Sequence, residues 1–386
     1  MNFEKENKIN RINNELMKNP FNDDLYTSRQ SPKEYPIRGE YFRDQTAIIH
    51  SMPFRRLKHK TQVFFSPDND HVCTRIEHVL HVATIGATIC KGLNNKGWDL
   101  NPDMAYAIGL GHDLGHSPFG HAGETALNKK LNSEFKFIHE VHSLRVVDKL
   151  CNDGKGLNLT YGVRDGIINH NGEILQQSLK PALIQNVLDE IHDRKSLSTS
   201  FEGCIVRFAD KVAYLGRDIE DALIADFITI NEIPEKIRDE VGTTNGEIIN
   251  NLIIDIITTS KDLDEIKLSD EMFEKVKILQ TFNYRKIYGH PIITKYRKMG
   301  ENILEELFDY LLDVYSNQGQ NFEMYSFSTI ELIKHFGSYI ERYKDVYEAE
   351  GLIPKRVVCD FIAGMTDGYA LNAFKQIKIP DAIKFK

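Results

Sequence analysis

The stretch GHDLGHSPFGHAGE, Gly111 to Glu124, holds three histidines and two carboxylates among four glycines and a proline. Any one of these histidines alone would fit a solvated turn after a helix. The adjacent His112-Asp113 pair points further, because a mixed imidazole and carboxylate set suits a divalent transition metal better than calcium or a structural zinc. A pair supplies two ligands, so the others must come from elsewhere in the chain. His78 follows Arg75 by three residues. On a helix the two share a face, and a guanidinium beside a bound metal is the arrangement a phosphate needs. Asp210 interrupts the apolar run FADKVAYL, with Tyr214, Arg217 and Asp221 on the same helical face. A carboxylate buried there requires a metal or a cation, and an ion pair with Arg217 would also satisfy it. His81, one turn beyond His78, borders the apolar stripe and reads as a core histidine or one that backs the metal site.

The elements that must position these groups are helices, and the fold class read from the periodicity is all-α. Two helices open with a Ser or Thr followed three residues later by Glu, the capping-box pattern. From Thr74 and Glu77, Val79, Val82, Ala83, Gly86, Ile89 and Cys90 recur at helical intervals up to Gly92. From Thr199 and Glu202, Phe201, Ile205, Phe208, Val212, Leu215, Ile219 and Ala222 form one core-facing stripe. A third helix starts at Asn101-Pro102, a cap followed by proline at the first position, and is expected to stop before Gly115 with His112 and Asp113 in its last turn. The N-terminal MNFEKENKINRINNELMKN reads as a soluble amphipathic helix. Strand signals are few: Gln62 to Phe65 before SPDND, and the tail KQIKIPDAIKF, which reads as irregular or a short strand. Residues 1–235 read as one helical core with an N-terminal segment. Residues 236–386 read as a helical extension, lysine-rich and amphipathic between Phe273 and Tyr343.

Of 386 residues, 41% are hydrophobic and 27% charged, an ordinary globular balance with length enough to bury a core. With 48 basic against 56 acidic residues the formal charge is -8, so a polyanion must be met in a pocket rather than across the surface. Nucleic acid is therefore not expected as the main partner. The five cysteines are dispersed without a CxxC pair, which argues against a disulfide framework or a thiolate zinc site and fits a reducing cytoplasm. No secretory signal is evident, and no apolar run reaches the roughly 20 residues a membrane-spanning helix needs.

His78, His112-Asp113 and Asp210 are similar to the H...HD...D signature of the HD-domain metal phosphohydrolases. The surrounding text resembles one branch, the bacterial dGTPase-like deoxynucleoside triphosphate triphosphohydrolases, related to a vertebrate SAM-and-HD-domain dNTPase. The matching stretches are RDQTAIIHSMPFRRLKHKTQVF (Arg43 to Phe64), DHVCTRIEH (Asp70 to His78), HDLGHSPFGHAGE (His112 to Glu124), LNLTYGVRDGIINH (Leu157 to His170), ADKVAYLGRDIEDAL (Ala209 to Leu223) and DFIAGMTDGYA (Asp360 to Ala370). Six ordered blocks over nearly the whole chain are far more specific than the bare signature.

The resemblance implies an HD-domain helical core with a C-terminal helical extension that completes the substrate pocket and carries oligomer contacts. It implies His78, His112, Asp113 and Asp210 as ligands of a divalent transition metal, with Mn, Fe, Co, Ni and Zn undistinguished, and magnesium accompanying the triphosphate. Arg75 would meet phosphate. His121 and Glu124 resemble the catalytic histidine and its orienting carboxylate, and His116 and His139 match further histidines that face the triphosphate. Gln62 falls where the family reads the deoxyribose 3'-hydroxyl, Asp218 lines the sugar pocket beside Tyr214, Tyr288 in YRKIYGHP stacks near the sugar, and Lys211 would neutralise phosphate charge. The partners so implied are a dNTP and further copies of the chain, in a tetramer or hexamer, with room for an allosteric nucleotide or a nucleic-acid effector. The sequence departs from the usual bacterial pattern after Phe137, where many members read E-H-N-x-Q-S and IHEVHS here puts Glu140 and His142 at the Asn and Gln positions. That departure bears on base preference and effector control, not on the metal centre.

The expected reaction is metal-dependent hydrolysis of a dNTP to deoxynucleoside and inorganic triphosphate, with dGTP as a candidate preferred substrate. Anionic repulsion disfavours attack by water, and a metal that polarises a phosphoryl oxygen relieves it. Expulsion of O5' needs a proton, for which His121 is the candidate, as acid or as base for the attacking water. GLGHDLG lacks the lysine and serine of a Walker P-loop. The alternatives are an HD phosphodiesterase or nuclease, against which stands the want of a basic aromatic strip, and a nucleotide-sensing scaffold whose HD site only binds.

Overall fold

Local capping sets where the site-bearing helices begin. The structure, a computed structural model, describes residues 16–34, 37–64, 73–171 and 174–379. Its helices of seven residues or more are α1 (Glu40–Ile49), α2 (Arg75–Asn94), α3 (Pro102–Gly111), α4 (His121–Leu131), α5 (His139–Arg145), α6 (Tyr161–Ile168), α7 (Phe201–Ile224), α8 (Asn245–Ser260), α9 (Asp270–Asn283), α10 (Pro291–Gln318), α11 (Glu331–Arg342), α12 (Pro354–Ala363) and α13 (Asp367–Lys378). The chain is 65% helical, as expected for an all-α protein with a C-terminal helical region. Among the described residues two strands, Ser178–Leu179 and Ile266–Lys267, form a two-residue antiparallel ladder. At the start of α2 the Thr74 N–H donates to Glu77 Oε2 at 2.7 Å, as the sequence predicts. Asn101 caps α3 by accepting from the N–H groups of Asp103 and Met104.

Several boundaries differ from the sequence reading. The cap of α7 is Ser200, whose Oγ accepts from Gly203 N–H, and not Thr199. Thr199 is drawn off by Asp165, which accepts from both its N–H and its hydroxyl at 2.7 and 3.0 Å. Glu202, freed from the capping role, is buried and accepts from the Asn101 N–H and the Asn19 amide, both at 2.7 Å. α2 runs two residues beyond Gly92, and α3 ends at Gly111, so His112 and Asp113 occupy the turn that follows. In the tail, Lys375 to Lys378 complete α13 rather than a strand, because Ala370 and Ala373 on that helix pack into the core. The amphipathic helix expected at residues 1–15, Phe65 with the segment to residue 72, and the tail from residue 380 lie outside the described residues.

The helices bury two apolar cores. The first gathers α2, α3, α6, α7, α8 and α9, with members from Tyr26 to Ile293. Every residue of the expected α7 stripe is in it. The second is built on α10, α12 and α13 and takes in Ala126, Leu127 and Leu131 of α4. The turn between α3 and α4 therefore crosses from one core to the other. Two side chains fasten this crossing. The Asp367 carboxylate accepts from Thr61 N–H at 2.8 Å and from Phe119 N–H at 3.0 Å. The buried Lys60 ammonium donates to the carbonyls of His116 and Ala363. Phe119 has φ 59°, a conformation that costs an aromatic residue energy and persists only where its surroundings enforce it. All five cysteines are buried and free. No helix among the described residues is long and apolar enough to cross a membrane.

α2 and α3 approach closely enough that a Cβ on Gly109 would lie 2.6 Å from the Ala83 Cα and 2.7 Å from its N. Gly109→Ala should therefore separate the helices and destabilise the protein by about 1–3 kcal/mol, the usual cost of overpacking. Urea denaturation checks this, and an unchanged midpoint would contradict the close approach.

Candidate active site

Four residues distant in sequence converge where α2, the α3–α4 turn and α7 meet. His78 Nε2 lies 2.9 Å from Asp210 Oδ1, and His112 Nε2 lies 3.8 Å from the same oxygen and 3.7 Å from Asp113 Oδ1. The rings of His78 and His112 are 5.3 Å apart. Nδ1 of His112 donates to the Gly109 carbonyl at 2.8 Å, which fixes the tautomer and leaves Nε2 with a lone pair. That Nε2 is buried and has no hydrogen-bond partner. Burial also lowers the His112 pKa, keeping the ring neutral as a ligand must be. An orphaned imidazole nitrogen facing two carboxylates fits a divalent metal, and His78, His112 and Asp210 place ligand atoms within 4.8 Å of one another. The alternative partner for Asp210 is not used, since Arg217 pairs with Glu220 at 3.0 Å and Asp221 at 3.2 Å. Arg75 ion-pairs with Asp113 and lines the adjoining cavity, so one face of its guanidinium holds the carboxylate while the residue borders the space beyond.

That cavity has a volume of about 940 Å³, within the range of small-molecule sites. At its metal end stand Arg75, His78, Asp113 and Asp210, and along it His116, His121, Glu124, His139 and Arg194. The same wall includes Tyr288, which donates its hydroxyl to Asp218, together with Tyr214 and Gln62. Burial pushes Asp218 up to about 7. The Gln62 Oε1 is buried without a hydrogen-bond partner. Lys211 is buried and is not part of the cavity wall. Gln280, Tyr284, Ile293, Tyr296 and Arg297 also line it, so residues from both sides of position 235 enclose the space.

Residues 75–215 match the HD domain, and residues 266–376 match the phosphohydrolase-associated domain. The chain is 37% identical over 344 residues to a deoxyguanosinetriphosphate triphosphohydrolase-like protein of Caldanaerobacter subterraneus subsp. tengcongensis, covering 89% of this chain and 86% of that one. Proteins of the same name from Desulfatibacillum aliphaticivorans and Clostridium tetani are 37% and 35% identical, covering 89% and 90% of this chain and 89% and 88% of theirs. The chain belongs to the dGTPase-like HD-domain phosphohydrolases. HD domains bind divalent metals, and the buried histidine and aspartate cluster is where this phosphohydrolase could hold one.

A second set of imidazoles faces the cavity beside the metal cluster. His116, His121 and His139 place ring nitrogens within 4.8 Å of one another, and the His116 and His139 rings stack at 4.3 Å. Their environments set them apart. Burial, reinforced by the Arg75 charge, drives His116 well below its ordinary range, and its Nδ1 has no hydrogen-bond partner. Burial also opposes the charge on His139, but Glu140 and Glu124 outweigh it and raise the ring to about 9. His121 is the exposed member. Glu124, which the resemblance couples to His121, accepts from Nδ1 of His139 at 2.8 Å.

Three residues of this region were not singled out as site residues by the sequence reading. His170 closed one of the quoted blocks. Its Nδ1 donates to the Ile167 carbonyl at 2.6 Å, and its ring lies 4.8 Å from that of His112, with burial lowering it to about 4. Glu140 was noticed only as a departure from pattern. Burial would raise it, yet the His139, His170 and Arg194 charges hold it at about 2. Arg194 lies in a stretch between helices with no periodicity or motif to announce it.

His112→Ala should remove most of the bound transition metal, read by elemental analysis, while the chain stays folded; unchanged metal content would overturn the ligand assignment. Glu140 has its folded pKa depressed from 4.5 to about 2, so its stabilising contribution is present above about pH 4.5 and is lost as the pH falls toward 2. Thermal denaturation at pH 5 and pH 3 should show a smaller loss for Glu140→Gln than for the parent protein.

Proposed function

We propose that the protein hydrolyses deoxynucleoside triphosphates to deoxynucleoside and inorganic triphosphate, with dGTP the first candidate suggested by the names of its relatives. The observation that carries this reading is one cavity whose wall holds a metal-competent cluster, Arg75 and three histidines together with Gln62, Tyr214 and the Tyr288–Asp218 pair. Cations and imidazoles suit phosphates, and aromatic and amide groups suit a nucleoside.

A divalent metal held by His78, His112, Asp113 and Asp210 would supply Lewis-acid polarisation of a phosphoryl oxygen. The remaining work falls to side chains of the chain itself. Arg75 is fixed by Asp113 and presents its charge to the phosphates without a further ordering cost. His139, charged near neutral pH, adds a positive group to the same wall. The departing O5' must receive a proton, and His121, the exposed imidazole of the trio, can exchange protons with both solvent and substrate. The orphaned Gln62 carbonyl oxygen is suited to accept from a sugar hydroxyl, which would leave it unpaired when that hydroxyl is missing. Tyr288, held by Asp218 in the cavity wall, would pack against the sugar and restrict room for a 2'-hydroxyl.

Purified protein incubated with each dNTP and NTP and with Mg2+, Mn2+, Co2+ or Fe2+, with products resolved by chromatography, tests this. Deoxynucleotides should be cleaved well ahead of ribonucleotides, with inorganic triphosphate as coproduct. His121→Ala should lower kcat on the order of 100-fold at unchanged metal content. Gln62→Ala should lower kcat/KM for dNTPs by about 10-fold, the worth of one hydrogen bond in a dry site. Equal rates on GTP and dGTP, or release of mononucleotides from single-stranded nucleic acid, would favour a phosphodiesterase instead.

A further inference from the structure

Two carboxylates converge on one nitrogen of His139. Glu124 Oε2 accepts from Nδ1 at 2.8 Å, and Glu140 Oε2 lies 3.4 Å from the same atom. All three side chains are buried, so two like charges face each other across one ring in a medium of low dielectric. Arg194 spans both. Its Nη2 donates to Glu124 Oε1 at 2.8 Å and to Glu140 Oε2 at 3.0 Å, and its Nε donates to Glu140 Oε1 at 2.8 Å. The guanidinium fork therefore takes both oxygens of Glu140 and the free oxygen of Glu124, and the four charges sum to zero with His139 protonated.

The loop that delivers Arg194 is itself fastened. The Asn171 amide donates to the Arg194 carbonyl at 3.2 Å, and four residues on, the Ser198 hydroxyl donates to Asp165 at 2.7 Å. Arg194 reaches the site from a different element than α4, which carries Glu124, and α5, which carries His139 and Glu140.

We infer that Arg194 is a positioning residue for the hydrolysis, acting through Glu124 and Glu140 to hold the His139 ring in a fixed orientation toward the triphosphate end of the cavity. Without it, Glu124 and Glu140 carry one charge too many between them. One carboxylate then takes up a proton or turns away, and the ring loses its anchor.

This inference rests on the hydrolase reading for its kinetic test, and a second readout keeps the two separable. With metal-loaded protein and saturating dNTP, Arg194→Ala should lower kcat about 10-fold or more, the usual loss when a supporting partner of a site histidine is removed, with KM and metal content changed less than twofold. Arg194→Lys should recover part of the loss. The decisive variant is Glu140→Asn combined with Arg194→Ala. Removing the excess carboxylate should restore activity above that of Arg194→Ala alone, a non-additivity expected only if the arginine acts by balancing Glu140. Independently of activity, the His139 Nδ1 proton in 15N-histidine-labelled protein should give a far-downfield resonance that disappears in Arg194→Ala and returns in the double variant. A raised KM with unchanged kcat would make Arg194 a direct phosphate ligand and overturn the inference. Strictly additive variants with an unaltered His139 resonance would overturn it as well. If the parent protein hydrolyses no dNTP, the substrate reading fails and the resonance alone decides whether the clamp exists.

Discussion

Buried carboxylates dictate the layout of this protein. Asp113 is buried and Asp210 half-buried among the helices, where an unpaired anion would be costly, and each is held ionised by a partner brought from another element, His78 for Asp210 and Arg75 for Asp113. Burial pushes both acids up, but those partners win and depress them below their ordinary range. Because α2 supplies both partners, three residues apart, its axial rotation and its distance from α3 and α7 are fixed by charge as much as by packing. Gly109 permits the approach of α2 to α3 that this requires, since a Cβ there would lie 2.6 Å from the Ala83 Cα, whereas one on Gly86 would make ordinary contact with Val206 and Ala105. The same logic recurs one shell out, where Glu124 and Glu140 are reconciled around His139 by a third element.

What the sequence disclosed follows from how local its signals are. The helical stripes of α2 and α7 were readable because burial repeats every turn, and the His112-Asp113 pair because it lies in a segment dense in histidine, glycine and carboxylate. The resemblance then supplied the ligands that spacing alone left open between a metal and an ion pair. Arg194 was invisible for the opposite reason: it acts from a loop where no periodicity constrains residue type, and its partners lie 54 and 70 positions away. The failure at Thr199 is similar. A local capping pattern was present, but Asp165, which the sequence places more than thirty residues earlier, competes for the same hydroxyl and wins because it is buried and needs several donors.

The site also belongs to no single core. His78, His112 and Asp210 are set by helices of the first, whereas α4, with His121 and Glu124, packs on the second. The wall of the cavity is accordingly shared, and Tyr288, near the end of the first core's sequence, meets Asp218 from α7. Both Tyr288 and the metal cluster are thus anchored in the first core, with Asp210 and Asp218 on one helix, while His121 and Glu124 answer to the second.

The fastening of the Phe119 turn by Asp367 carries a consequence for how the protein comes into being. All four residues of the metal cluster have been synthesised once residue 210 is made, but the carboxylate that pins Thr61 and Phe119 is added more than 150 residues later. Gly300, whose missing side chain leaves room for the Phe119 ring, is also late. Synthesis order thus places the ligand-type residues in the chain well before the residues that hold the histidine turn in its strained conformation.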